Sequence, residues 1–401
     1  MSRIYWEAHD FTRTTTTNTT FTAVKVSLAF LPNASKNYVI FWSCLLDIVT
    51  STVGAKARLQ NTTAGTTTEA TILTGWNSTT LNMQGGGMAI YTSPGSPVSQ
   101  TFEIQYATTN AGTAAGISEA SIFIMELSAS DVFAQSLGQT ISTSSTYATK
   151  VTLTFTPATA GDYFIIGHFT KTQGDDNSGG KAKLYDQVPN TYEISELGFW
   201  LAQDINSYMN VARAVNISAA QTWKIDFARS SGTANAVIAD ATILALRMDG
   251  FANKYWAEDR SAETSTSTTY VADAAAVTAT PAAETHLLFA TGYNSMSSSG
   301  ISTTAGNKVQ AAGADVGTRF STLAGATGFW NNWTSIRMRV ETASSTTWQI
   351  MYNRVTGAET ASFNNNVIAV MQITSTSATV PTGENAAFTM GITPVVSPAG
   401  I

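Results

Sequence analysis

The sequence predicts an all-β protein. It reads as three tandem antiparallel β-sandwich, jelly-roll-like domains of about 125 residues each, followed by a C-terminal arm. Three observations carry this. First, one short pattern occurs three times: Gln221-Thr222-Trp223-Lys224-Ile225-Asp226-Phe227, Gln100-Thr101-Phe102-Glu103-Ile104-Gln105-Tyr106 and Thr346-Thr347-Trp348-Gln349-Ile350-Met351-Tyr352. Its aromatic and β-branched residues alternate with polar ones, the pattern of a half-buried strand. Second, each copy is followed, after a Gly-containing turn, by a mostly apolar run at 122–127, 237–248 and 367–373, as suits a strand covered on both faces. Third, Pro32, Pro157 and Pro281 each close a strand-like run, at separations of 125 and 124.

Other landmarks keep the same register. Apolar strands are expected at 38–46, 163–170 and 286–293. Lys56 in Ala55-Lys56-Ala57-Arg58-Leu59 lies 125 residues before Lys181 in Gly180-Lys181-Ala182-Lys183-Leu184. Tyr5-Trp6 recurs 250 residues on as Tyr255-Trp256. In the second repeat the pattern predicts strands at 147–156, 162–171, 180–185, 191–194, 197–202, 207–217, 222–228 and 237–248, separated by Gly, Asn, Asp and Pro turns. Eight strands favour a jelly roll over a seven-stranded immunoglobulin-type sandwich. The expected boundaries are 1–130, 131–252 and 253–378, with an extended arm at 379–401. Ser/Thr-rich segments at 12–20, 139–146 and 261–269 read as short linkers, which predicts a rod of three touching domains.

Composition narrows the function. Charged residues make up 12% and hydrophobic residues 43%, so the chain can bury itself and is not a solvated disordered polymer. The formal charge of −6 is spread without blocks, which opposes nucleic-acid binding. No apolar run of about 18 residues exists and the N-terminus lacks a signal core, so neither membrane insertion nor a signal peptide is expected. Cys44 lies in an apolar run and reads as a buried thiol.

Little in the sequence points to chemistry. His9, His168 and His286 have no partners at metal-ligand spacing, and no cofactor or metal is expected. Gly85-Gly86-Gly87 reads as a hairpin or a close backbone approach. The loop Gln173-Gly174-Asp175-Asp176-Asn177-Ser178-Gly179 could offer oxygen ligands to Ca²⁺, but Asp, Asn and Gly are also what strand connections use. Glu258-Asp259, Glu193/Glu196 and Asp226 are candidate acids for glycosidase chemistry, yet nothing in the sequence brings a pair together. No catalytic residue is assigned. In Trp330-Asn331-Asn332-Trp333, Trp330 continues an aromatic position shared with Trp76 and Trp200. Trp333 does not, so Trp333 and Asn332 are the candidate glycan-binding residues, by ring stacking and amide hydrogen bonding. Tyr5, Trp6, Tyr255 and Trp256 are candidate inter-domain or inter-subunit packing residues. Phe388, Met390 and Ile392 are the candidate anchor of the arm.

The strand Thr222-Trp223-Lys224-Ile225-Asp226-Phe227, its Gly turn and Ala239-Asp240-Ala241-Thr242-Ile243-Leu244-Ala245-Leu246 are similar to repeats of phage structural proteins. With its low charge and its Thr/Ala/Ser/Gly-rich tandem sandwiches, the chain resembles virion surface proteins of tailed bacteriophages: capsid decoration proteins, head fibres and tail fibres. The resemblance implies a non-enzymatic virion protein, attached to the capsid as a decoration or fibre, made in the host cytoplasm and assembled as a homotrimer with the major capsid or tail protein. The alternative is a receptor-binding fibre or carbohydrate-binding module that recognises host surface glycans.

Overall fold

In a computed structural model the chain is described at residues 3–48, 54–73, 82–173, 179–188, 193–197, 206–231, 235–296, 304–316, 320–323, 331–341, 343–356 and 360–373. Among these residues there is no α-helix, and no helix long and apolar enough to cross a membrane. The first sandwich contains β1 (Tyr5–Asp10), β2 (Thr14–Thr16), β3 (Ala23–Phe30), β4 (Asn37–Ile48), β5 (Ala55–Asn61), β6 (Thr66–Leu73), β7 (Asn82–Thr92), β8 (Gln100–Thr108) and β9 (Ala115–Glu126). The second contains β10 (Val132–Ser136), β11 (Thr140–Ser142), β12 (Ala148–Phe155), β13 (Gly161–Gln173), β14 (Gly179–Val188), β15 (Glu193–Leu197), β16 (Asn206–Ile217), β17 (Gln221–Ser231) and β18 (Ala236–Arg247). The third contains β19 (Lys254–Asp259), β20 (Glu263–Ser265), β21 (Val271–Ala279), β22 (Thr285–Met296), β23 (Thr304–Ala311), β24 (Ala314–Asp315), β25 (Phe320–Leu323), β26 (Asn331–Val340), β27 (Thr346–Thr356) and β28 (Ala361–Gln372).

All described pairings are antiparallel and repeat one plan. The inner sheet of the first sandwich runs β1-β9-β4-β7, with β2 also on β9, and the outer sheet runs β3-β8-β5-β6. The second sandwich gives β10-β18-β13-β16 with β11 on β18, over β12-β17-β14-β15. The third gives β19-β28-β22-β26 with β20 on β28, over β21-β27-β23, where β24 and β25 pair with β23. The chain crosses repeatedly between the two sheets, and its last strand inserts between its first and fourth. That is the jelly roll. The thrice-repeated aromatic pattern lies in β8, β17 and β27, central strands of the outer sheets. Its apolar followers are β9, β18 and β28, central in the inner sheets.

Two features depart from the sequence reading. The Ser/Thr-rich segments are not linkers: β2, β11 and β20 lie in them and extend the edge begun by β1, β10 and β19. These edge strands are held by backbone pairing, which a side-chain pattern does not reveal. The chain is also no rod. Each sandwich has its own core, around Trp42 and Phe102, around Phe164's neighbour Tyr163 and Trp223, and around Trp348 and Ile350. The outward faces of the three inner sheets then share a further apolar cluster, which includes Phe41 and Phe123, Phe164 and Leu244, and Phe289 and Val367. Phe289 meets Phe41 at 6.0 Å and Phe164 at 5.5 Å between ring centroids, both edge-on. The equivalent edge strands β7, β16 and β26 also meet pairwise. First and third sandwiches therefore touch directly, which a linear order forbids. The apolar runs in β9, β18 and β28 are covered on both faces because one face fills a sandwich and the other fills this shared cluster.

A bulge recurs at the same place in each inner sheet. The β4/β9 register shifts between Ser43 and Leu45, β13/β18 between His168 and Thr170, and β22/β28 between Thr291 and Tyr293. The last strand there carries a residue with positive φ: Glu119 at 54°, Asp240 at 50° and Asn365 at 52°. Such a bulge bends and twists the strand locally.

Candidate functional site

For a protein of this architecture the candidate functional surfaces are its joints. Arg3, just ahead of β1, is tied to the β9–β10 connection by a buried ion pair. Arg3 Nη1 lies 2.6 Å from Asp131 Oδ2, with side chains 5% and 0% exposed. Arg3 Nη2 also donates to Asp131 Oδ1 at 3.0 Å and to the Arg247 carbonyl at 2.9 Å. Asp131 accepts further bonds from the Ser128 and Arg247 amides, so every partner needed to offset its burial is supplied. The arginine thus fastens the first strand to the end of the second sandwich, and its guanidinium covers the Phe251 ring at 4.8 Å. A cleft beside it is lined by Lys36, Glu126, Ser128, Arg247 and Asp249.

A head-to-tail contact occurs twice between sandwiches. At the β1–β2 corner, Phe11 lies under the Arg337 guanidinium of β26 at 4.2 Å, while Arg337 pairs with Glu119. At the β19–β20 corner, Arg260 donates to the Val211 carbonyl of β16 at 2.9 Å and to Glu258. The corner of the first sandwich thus docks on the inner edge strand β26 of the third, and the corner of the third on the inner edge strand β16 of the second. Glu7 sits in the first of these joints, and burial pushes its carboxyl up to about 7. His9 stacks on Phe11 at 4.5 Å, and desolvation, helped by Arg337, lowers its pKa.

The four aromatic packing candidates divide between two roles. Tyr5 faces the shared cluster, 5.8 Å from Phe123, and Trp6 packs inside the first sandwich, 5.0 Å from Phe30. In the third sandwich the faces are exchanged: Trp256 meets Phe164 at 5.2 Å, and Tyr255 stacks on Trp348 at 5.6 Å. The cause is a one-residue shift. Tyr5 pairs with Met125, which points to the shared cluster, whereas Tyr255 pairs with Val370, which points inward.

Trp333 is not an open platform. It is 0% exposed and belongs to the third sandwich core with Trp348. Its partner across the strand pair is Gly292 on β22. The recurring bulge sets Gly292 at the position of Cys44, whose partner on β7 is Gly85, so Trp333 fills a place that is small in the first sandwich. A Cβ on Gly292 would stand 2.8 Å from Trp333 Nε1. Asn332 of β26 pairs with Tyr293 of β22, and the Asn332 side chain lies outside the described residues. Phe388, Met390, Ile392, Trp76, Trp200, Trp330 and the Asp175-Asp176 loop also lie outside the described residues.

The remaining chemistry-bearing residues are scattered. His168 and His286 are buried, one bonded to Ser207 at 2.8 Å and the other donating to the Glu284 carbonyl at 2.9 Å. Cys44 is buried, and desolvation pushes its thiol up to about 12. Gly86 makes the close backbone approach expected of its glycine run: at φ +145° a Cβ would lie 2.5 Å from the Trp42 carbonyl oxygen. One convergence went unseen in the sequence. Asp259, Glu263 and Asp273 bring ligand oxygens within 4.8 Å of one another. The clue was a charge reversal in the repeat alignment, Lys25 and Lys150 against Asp273.

The fold thus defines an all-β chain of three fused jelly rolls. No family model matches the sequence, and no curated protein does. Among solved structures it is similar to a protein described under the triple jelly roll fold and turret assembly of an archaeal virus, at 11% identity and TM-score 0.21 over 92% of this chain and 91% of that one. It is also similar to a protein of infectious bursal disease virus strain Gt, at 8% identity and TM-score 0.24 over 94% and 81%. A third similarity is to the tandem CBM22 domains of Paenibacillus barcinonensis Xyn10C, at 10% identity and TM-score 0.19 over 60% and 93%.

Proposed function

We propose that this chain is a structural virion protein, a decoration or fibre component at the surface of a tailed-phage capsid, assembled as a homotrimer with the major capsid or tail protein. The observation that carries the reading is the closure of three jelly rolls on one shared apolar cluster. That cluster joins the three described sandwiches to one another, and ion pairs close their joints. Rigid jelly-roll blocks suit a shell or projection, which must hold shape under load and present repeated surfaces to neighbours. The phage assignment rests on the resemblance of the repeats. The arm at 379–401, with Phe388, Met390 and Ile392, is the proposed anchor. The glycan-binding alternative loses its aromatic platform, because Trp333 is in a core.

Mass spectrometry of gradient-purified particles tests the proposal. Full-length chain should co-purify at a fixed ratio to the major capsid protein, and a chain lacking 379–401 should be absent from the particles. Recovery only from the unassembled lysate fraction would refute it.

A further inference from the structure

The three corners that join the first two strands of each sandwich are built alike, but their charge is not. In the first sandwich Lys25 is the bulge residue that follows Val24 in β3, where the register shifts between Val24 and Val26. Its ammonium reaches the β1–β2 corner, 2.8 Å from Asp10 Oδ2 and 2.5 Å from the Thr12 carbonyl. In the second sandwich Lys150 is the bulge residue between Thr149 and Val151. Its ammonium donates to the Gly138 carbonyl and, at 2.9 Å, to Thr140 Oγ1. Both lysines are buried, at 6% and 8% exposure, so each corner is built around a cation removed from water.

In the third sandwich the bulge begins after Ala272, and the residue in the lysine position is Asp273, 2% exposed. The corner itself is preserved. Asp259 Oδ1 accepts from the Ser261 amide at 2.8 Å and hydroxyl at 2.5 Å, as Asp10 Oδ1 accepts from the Thr12 amide at 2.9 Å and hydroxyl at 2.6 Å. Glu263, first residue of β20, stands where β2 and β11 begin with Thr14 and Thr140. The ammonium is therefore gone, its aspartate acceptor remains, and two further carboxylates have been added. Ligand oxygens of Asp259, Glu263 and Asp273 lie within 4.8 Å of one another, and Glu263 Oε2 is buried with no hydrogen-bond partner.

We propose that this corner binds a divalent cation of the calcium class through Asp259, Glu263 and Asp273, in the place that a lysine ammonium fills in the other two sandwiches. The donors are all hard oxygens, the set that Ca²⁺ takes and that soft metals do not favour. Asp273 is held in place from behind by the Ala275 amide at 2.7 Å and by the Asn366 amide group. The corner also carries Arg260, which docks on β16, so an ion here would stiffen the joint between the third and second sandwiches.

The test uses the full chain, stripped with EDTA and titrated with CaCl2 at pH 8 by calorimetry, with thermal melts in parallel. One Ca²⁺ per chain should bind at this corner and raise Tm. Glu263→Gln, at a half-buried position, should weaken that binding at least tenfold. Asp273→Lys, which restores the residue of the other two sandwiches, should abolish the Ca²⁺-dependent rise in Tm. If Asp273→Lys does not fold, Glu263→Gln and Asp259→Asn carry the comparison. No Ca²⁺ uptake by the wild type, or uptake unchanged in Glu263→Gln, would overturn the proposal.

Discussion

Phe289→Ala is the sharpest probe of the shared cluster. Phe289 is 0% exposed and its ring meets one aromatic from each of the other two sandwiches, Phe41 and Phe164. Truncating a buried Phe costs about 3–5 kcal/mol, a figure that includes about 0.5–1.5 kcal/mol for each edge-on ring pair. The size alone does not discriminate, since Trp348→Ala inside the third sandwich core should cost as much. The distribution of the loss does. Hydrogen exchange on the two variants, with denaturant titration for the totals, separates them. Phe289→Ala should lower amide protection in β4 and β13 as well as in β22. Trp348→Ala should act first on β21, β23 and β27. A Phe289→Ala loss below about 1 kcal/mol, or protection changes confined to the third sandwich, would refute the idea of a common cluster.

Three further outcomes are expected. Arg3→Met strands the buried Asp131 carboxylate and should cost about 3–5 kcal/mol in chemical denaturation, with the N-terminal strand β1 losing protection first. Glu7 has its folded pKa raised from 4.5 to about 7, so its favourable contribution is present below about pH 4.5 and is lost as pH rises through 7. Glu7→Gln should therefore raise Tm at pH 8, by up to about 3 kcal/mol of stability, and change little at pH 4.5; a lower Tm at pH 8 would contradict this. Gly86→Ala forces a Cβ against the Trp42 carbonyl at a positive φ and should cost more than about 1 kcal/mol, read from the urea midpoint.

In the second sandwich β12, β13, β14, β16, β17 and β18 were legible to within about three residues, because they carry apolar alternation between turn residues; β10 was not, β15 only overlaps the strand expected at 191–194, and the strand expected at 197–202 lies, beyond Leu197, outside the described residues. The short edge strands β2, β11 and β20 were not legible, since small polar side chains mark no face and only backbone pairing holds them. The doubly covered strands were readable as doubly covered, yet not what covered them: an apolar face such as that of Phe41 and Phe123 names no partner, and a neighbouring sandwich, another subunit or solvent exclusion by a loop would write the same letters. Trp333 misled for a related reason. Its ring is accommodated by Gly292 across a strand pair, a relation visible only once registers are known. The acidic corner was legible in principle, since Lys25, Lys150 and Asp273 hold one position, but an extra residue in the bulge of β21 shifts the third copy out of a fixed period.

The most direct measurement is a cryo-EM reconstruction of particles assembled with this chain. Density at the particle surface should show three sandwiches around one common cluster, with β7, β16 and β26 in mutual contact. Particles that lack the chain, or that show its sandwiches strung end to end, would contradict it.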